Sequence, residues 1–301
     1  MFERLIQRMD RHSKLLRAWE LKGGVSAQVT ALEVLLSNGE VRKLVVRQHG
    51  PADVARNPHI ATDEYKLLKL LADTDVPAPA PYGADESGEI LPSPYIAIEF
   101  IEGETILSAP TPNQAIDLCN QLAAALAAIH QADISSRDVS YLPKQERRLS
   151  EFLARIPADV ADMAESSLIR EALQRIEPSP PRNKETLLHG DYWPGNMLWK
   201  NGRLVAVIDW EDAAIGDPLA DLANARLEIA WSFGTEAMHH FTRRYQALMP
   251  CLNYTSLPIW DLRAALKPAI HMSGWGLDED TERGMREKLA WFVKQAANRQ
   301  G

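Results

Sequence analysis

The stretch Leu187–Trp210, LLHGDYWPGNMLWKNGRLVAVIDW, decides the reading of this chain. It holds His189, Asp191, Asn196 and Asp209 in one short segment with apolar, β-type runs on either side. Met197–Lys200 and Arg203–Ile208 read as two strands joined at Asn201-Gly202, a dipeptide that accepts the left-handed backbone of a tight hairpin. A carboxylate and an amide at Asp-x4-Asn spacing, with a second carboxylate behind an apolar strand, are oxygen donors of the kind Mg²⁺ prefers. Zinc is a poor match, because it wants more His or Cys than the one imidazole here supplies.

The order His-Gly-Asp-x4-Asn followed by Ile-Asp-Trp resembles the catalytic loop and metal-binding aspartate of protein kinases. It resembles most the variant carried by the aminoglycoside phosphotransferase superfamily, the choline-kinase-like small-molecule kinases that share that fold. Gly216-Asp217-Pro218-Leu219-Ala220-Asp221-Leu222 extends the likeness. The resemblance implies an α+β, two-lobed protein-kinase-like fold. Its N-lobe, 1–102, would be an antiparallel sheet plus helix, and its C-lobe, 103–301, mostly helical. It also implies phosphoryl transfer from ATP (or GTP), with Mg²⁺, to a hydroxyl of a small molecule. Asp191 would be the catalytic base or orienting group, since an ionised carboxylate at hydrogen-bond distance guides the alcohol proton away. Asn196 and Asp209 would bind the metal on the nucleotide phosphates. His189, Asp217 and Asp221 would support the loop rather than take part in chemistry.

Upstream, Phe2, Leu5, Ile6, Met9, Leu15, Leu16 and Trp19 recur at roughly helical spacing, which predicts an amphipathic helix over 2–19. Gly23-Gly24 lies between β-type stretches and reads either as a plain hairpin turn or as a loop whose backbone approaches a ligand. The resemblance favours the second, with Gly24 and Ser26 near the phosphates. Asn38-Gly39 predicts a hairpin between LEVLL and VRKLVVR. Arg47 ends that second strand where a kinase carries its phosphate-binding lysine. It reads as a solvated strand-end arginine or as a bidentate substitute for that lysine.

Residues 59–72 have helical spacing, and Glu64 is the candidate partner for the strand cation. Val76–Pro81 forces extended chain, and Tyr95–Ile101 reads as a strand. The resemblance makes it the hinge, with the main chain of Glu99, Phe100 and Ile101 meeting the adenine edge.

Downstream, 113–132 predicts a core helix ending in a packing histidine, His130. Helices are also expected over 144–156, 159–177, 235–248, 257–273 and 278–298, and one is expected to start at Asp217-Pro218. Glu211, Asp212, Glu228 and Asp278–Asp280 could line an acidic pocket for an amine, although a helix start explains the last three equally well.

The chain has 301 residues, a formal charge of −8 and 46% hydrophobic residues. That acidity argues against nucleic acid as a partner, because phosphate binding needs a basic surface, and it is compatible with a cationic substrate. Two cysteines, Cys119 and Cys251, form no framework, which suits a reducing cytoplasm. No apolar run approaches membrane-spanning length, so neither a transmembrane helix nor a signal peptide is expected. Oligomeric state is not legible. Two other readings compete with this one. A pseudokinase would bind nucleotide or a partner protein without catalysis, and Arg47 favours it. A protein kinase is disfavoured by the missing Ala-Pro-Glu motif and the short distance from Asp209 to the Gly216-Asp217-Pro218 helix start.

Overall fold

The computed structural model describes residues 1–21, 27–109, 111–147, 169 and 182–298. Gly24, Ser26 and most of the helices expected over 144–177 lie outside the described residues. The chain divides into two compact units, Met1–Gly103 with Val205–Glu211, and Glu104–Leu204 with Asp212–Gly301. The sequence-based division at 102/103 kept 205–211 with the second lobe, whereas in the structure they join the first unit. There Val207 N–H donates to the Pro77 carbonyl at 2.6 Å.

The first unit is α1 (Phe2–Met9), β1 (Lys14–Glu20), β2 (Ala27–Leu35), β3 (Val41–His49), α2 (Pro51–Arg56), α3 (Ile60–Leu71), β4 (Pro81–Asp85) and β5 (Tyr95–Glu99). The strands form one antiparallel sheet in the order β1-β2-β3-β5-β4. The single helix expected over 2–19 is therefore a short helix followed by a strand. Asp10 makes the break: its carboxylate accepts Ser37 N–H at 2.8 Å and His12 N–H at 3.2 Å. Lys14–Glu20 then pairs antiparallel with β2, with a register shift between Leu15 and Arg17, rather than continuing the helix. Leu15, Leu16 and Trp19 satisfy helical spacing although the segment is a strand, because periodicity alone does not separate short apolar segments.

The hairpin at Asn38-Gly39 forms as expected, with Gly39 at φ 84°. Side chains alternate across the sheet. Leu44 and Val46 of β3 join Leu32, Val34, Tyr95 and Ala97 in a core closed by Leu5 and Ile6 of α1. Arg47, between Val46 and Gln48, is thereby turned to the other face, where it meets Glu64 of α3. β4 was not expected from sequence. Pro81 starts it, at the sheet edge where a missing N–H costs no ladder bond.

The second unit holds α4 (Pro112–Gln131), β6 (Thr186–Leu188), β7 (Met197–Lys200), the start of β8 (Arg203–Val207), β9 (Ala214–Gly216), α5 (Leu219–Ser232), α6 (Thr235–Leu248), α7 (Leu257–His271) and α8 (Glu279–Asn298). α4 is capped by Thr111, whose Oγ1 accepts Gln114 N–H at 3.3 Å. Leu118, Cys119, Leu122, Leu126 and Ile129 of α4 are all buried. A buried Arg226 ties three helices together. It grips Asp261 of α7 bidentately at 2.9 and 3.0 Å and donates to Thr242 Oγ1 of α6 at 2.5 Å. β6 pairs with β9, so the residues leading into His189 run beside those leading into Asp217. Among the described residues, no helix is long and apolar enough to cross a membrane.

Candidate active site

In the first unit, four of the candidate residues converge. Arg47 Nη1 donates to Glu64 Oε1 at 3.0 Å and Oε2 at 3.3 Å. Its Nη2 donates to Asp209 Oδ1 at 2.6 Å and also to Glu211 Oε2. The guanidinium fork thus spans Glu64 on one side and the Asp209/Glu211 pair on the other. A lysine ammonium, a single donor centre, could not span both in this way. Arg47 is buried, and Glu64 is buried beneath it. Burial pushes the Glu64 carboxyl up and Asp209 adds to that, while Arg47 pulls it down. His49 Nε2 lies 3.5 Å from Glu64 Oε2. Burial first, and Arg47 second, push His49 down to about 3, so it stays neutral and contributes no compensating charge.

Asp209 has φ 67°, a left-handed conformation uncommon for a side-chain-bearing residue, which marks sites where neighbours impose the backbone. Trp210 follows it, buried, with Nε1–H donating to the Val207 carbonyl at 3.0 Å. Of the expected hinge residues, Glu99 is already committed. Its N–H donates to the Ala80 carbonyl at 2.8 Å, and its carboxylate accepts Ala80 N–H at 3.2 Å. Phe100 N–H reaches the Lys43 carbonyl at 3.5 Å, and its ring meets Trp19 edge-on and Lys43 Nζ at 5.6 Å. Glu99 therefore has no amide to spare for a base, because β4 adds a strand beyond β5.

In the second unit, the loop after β6 sets Asp191 and Asn196 against each other. Asn196 Nδ2 donates to the Asp191 carbonyl at 2.9 Å and to Asp191 Oδ2 at 3.1 Å. With its amide hydrogens so used, the Asn196 atom left for a cation is its oxygen. His189 holds backbone, as expected: Asp191 N–H donates to its Nδ1 at 3.3 Å. Gly190 has φ 84°, and a Cβ there would stand 1.9 Å from the Asp212 carbonyl oxygen. Only glycine fits. Asp212 thus bears on the loop through its backbone.

Asp221 is the brace, accepting His189 N–H at 2.6 Å and Gly190 N–H at 3.0 Å. Asp217 sits at a helix start, as expected, and its other partner is Asn183. It accepts Leu219 N–H at 3.0 Å, starting α5, and two hydrogen bonds from Asn183 at 3.0 and 3.1 Å. It fixes the approach to β6, not the catalytic loop.

Several of the residues proposed for an amine pocket have other partners. Glu211 is paired with Arg47, and Asp278 accepts from Thr281 N–H and Oγ1–H at the start of α8. Asp221, Asn224 and Glu228 recur at helical spacing along α5, and Asn224 Nδ2 donates to the Tyr192 carbonyl at 3.3 Å. Burial first, then the Asp191 charge, pushes the Glu228 carboxyl up to about 8, against the pull of Lys267. At neutral pH Glu228 is therefore mostly protonated and offers a hydroxyl donor rather than an anion.

A carboxyl raised on folding stabilises the fold while it is neutral. For Glu228 that contribution is complete below 4.5 and is lost as pH rises through about 8. Glu228→Gln, which is permanently neutral, is expected to flatten the decline of urea-melt stability across that window. A decline of unchanged slope would refute the assignment.

Sequence reasoning missed Glu211 as an Arg47 partner, Asn183 as an Asp217 partner, and the left-handed Asp209. None has a local signal, since each depends on residues brought together by tertiary structure. Asp209, about a third exposed at its side chain, is by itself an oxygen donor of the kind a hard divalent cation takes, and so is the Asn196 amide oxygen.

Comparison with known proteins gives the fold and the family. A crystal structure of the aminoglycoside phosphotransferase APH(4)-Ia, in ternary complex with AMP-PNP and hygromycin B, superposes with a TM-score of 0.66 at 20% identity, covering 97% of each chain. The macrolide 2'-phosphotransferase MphH from Brachybacterium faecium gives a TM-score of 0.63 at 18% identity, covering 96% of this chain and 97% of that one. These likenesses establish a shared α+β, kinase-like fold. Among curated proteins, acyl-CoA dehydrogenase family member 10 of Mus musculus is 25% identical over 193 residues, 60% of this chain but only 18% of that protein's length. Residues 23–256 match the model of the phosphotransferase enzyme family, APH, and the chain belongs to that family.

Proposed function

We propose that the protein transfers the γ-phosphoryl group of ATP or GTP to a hydroxyl of a small molecule. The Asp191–Asn196 pair carries this reading, because the Asn196 amide orients the carboxylate an attacking alcohol needs. Asp191 accepts or guides the alcohol proton as the phosphoryl group arrives. Asn196 and Asp209 supply oxygen ligands to Mg²⁺, which, when bound, neutralises charge building on the phosphates. Arg47 grips phosphate oxygens bidentately in place of lysine, held from behind by Glu64. Of the hinge backbone, Ile101 lies beyond the β4–β5 pairing, and the adenine edge is assigned there.

Two acceptor classes have support. APH(4)-Ia is held with hygromycin B, which favours a sugar-like or amino-alcohol acceptor. Several curated relatives are named as acyl-CoA dehydrogenase family members, which favours a hydroxyl on an acyl thioester.

The test is acceptor-dependent ADP or GDP release with Mg²⁺, across a panel of aminoglycosides, amino alcohols, sugars and hydroxyacyl thioesters, each also screened by thermal shift with a nucleotide analogue. Ligand binding raises apparent stability with the logarithm of concentration, so modest binders register. One acceptor raising turnover well above background supports the reading. Nucleotide binding with no turnover on any acceptor would instead support the pseudokinase reading that Arg47 allows.

A further inference from the structure

Asp221 does more than receive the loop amides. Its Oδ2 also lies 3.3 Å from Nε2 of His130, at the end of α4. Nδ1 of the same ring lies 2.6 Å from the Tyr245 hydroxyl, on α6. His130, His189, Asp221 and Tyr245 are all at most 3% exposed. Direction along this chain follows from chemistry. Burial keeps the Tyr245 hydroxyl far above its ordinary range, so it remains an O–H donor. Burial also pushes Asp221 up, but the hydrogen bond and charge of His130 and the neighbouring His189 outweigh it and hold the carboxyl below its ordinary value. An ionised carboxylate only accepts. Nε2–H of His130 therefore donates to Asp221, and the Tyr245 hydroxyl, hydrogen-bonded to Nδ1, fixes the orientation of the ring.

The Asp212 carbonyl lies so close to Gly190 that no side chain fits there. The backbone one and two residues before Asp191 is held by Asp221, which accepts both amides. That carboxylate is in turn anchored to α4 through His130 and, through the same ring, to Tyr245 of α6. Two rings reinforce the anchor: Tyr245 packs edge-on against His130 at 5.7 Å and against Tyr254 at 6.5 Å.

Resting on the phosphotransfer reading, we propose that Tyr245 and His130 are positioning residues that set the height of Asp191 through Asp221. Neither touches a reacting atom. Without the Tyr245 hydroxyl the imidazole loses the hydrogen bond that holds its ring against Asp221. Without the imidazole, Asp221 loses its one side-chain donor from α4, and its grip on the two loop amides loosens. A small displacement of a positioned carboxylate is costly to catalysis.

The experiment compares Tyr245→Phe, His130→Gln and His130→Leu with the wild type. It reads hydrogen exchange of the His189 and Gly190 amides, nucleotide-analogue affinity and kcat. His130→Leu is expected to expose both amides to faster exchange and to lower kcat by roughly tenfold to a hundredfold, with nucleotide affinity within about twofold. Tyr245→Phe, which deletes only an oxygen, is expected to lower kcat about threefold to tenfold. His130→Gln, whose amide can still donate to Asp221, is expected to recover protection and most of kcat. A folded His130→Leu with unchanged exchange at the two amides would overturn the proposal, as would a lowered melting point with unchanged kcat. A wild type that protects both amides yet transfers no phosphoryl group to any acceptor would sink the phosphotransfer reading instead, so the two failures are distinct.

Discussion

Asp191→Ala is expected to lower kcat by roughly 10²–10⁴-fold, the range a positioned acid or base contributes, while leaving melting temperature and nucleotide affinity nearly unchanged. The expectation rests on where the side chain sits. Asp191 is partly exposed at the loop surface, and its carboxylate is held by Asn196 Nδ2 at 3.1 Å. The loop itself is anchored through backbone: Asp221 to the amides of His189 and Gly190, and Asn196 to the Asp191 carbonyl. Deleting the carboxylate removes none of these anchors. It also relieves the charge that helps push Glu228 up, so the Glu228 carboxyl should titrate lower in the variant. A kcat within a few-fold of wild type, measured by coupled ADP release on the acceptor found in the screen, would remove Asp191 from the chemistry.

The second large effect is on stability. Arg47→Met is expected to cost about 3–5 kcal/mol, the range for removing one partner of a buried ion pair. Most of this falls on Glu64, which is buried, rather than on Asp209, which is partly exposed and can regain water. The pH dependence gives a sharper signature. Burial already holds the Glu64 carboxyl above 4.5, and Arg47 opposes that shift. Without Arg47 the folded-state value rises further. Neutral Glu64 then contributes stability that is complete below 4.5 and is lost as pH rises.

The deficit of the variant should therefore be small at about pH 5 and largest at about pH 8 in urea melts. Arg47→Lys should recover only part of it, since one ammonium cannot bond both Glu64 and the Asp209/Glu211 side. A deficit independent of pH would mean that Glu64 does not depend on Arg47 for its charge.

Local chemistry explains which features were legible beforehand. Asn38-Gly39 and Asn201-Gly202 announce their hairpins because the backbone demands left-handed residues there, and Gly39, Asn201 and Gly202 do have positive φ. The helices α3, α4, α6, α7 and α8 follow from apolar spacing within each segment. The loop from His189 to Asn196 was legible because its residue types stand at fixed offsets. What was not legible depends on distant partners. Asp10 ends α1 by accepting the Ser37 amide, a residue beyond the end of β2. Pro81 and Gly83 made β4 look like loop, and only pairing with β5 gives it order. The ion pair of Glu211 has no local signal, because its partner Arg47 lies 164 positions away. Asp217 and Asp221 carry the same side chain four residues apart. Only the fold decides that one meets Asn183 and the other the catalytic loop.

The mechanism turns on the role proposed for Asp209: as a metal ligand on the nucleotide phosphates it would give up its ion pair with Arg47. Calorimetric titration of a non-hydrolysable ATP analogue, with and without Mg²⁺, into the wild type and Asp209→Asn tests it most directly. The account expects Mg²⁺ to strengthen binding to the wild type by at least about tenfold, and Asp209→Asn to lose most of that gain. Equal affinity with and without Mg²⁺ in the wild type, or a gain that survives intact in Asp209→Asn, would contradict it.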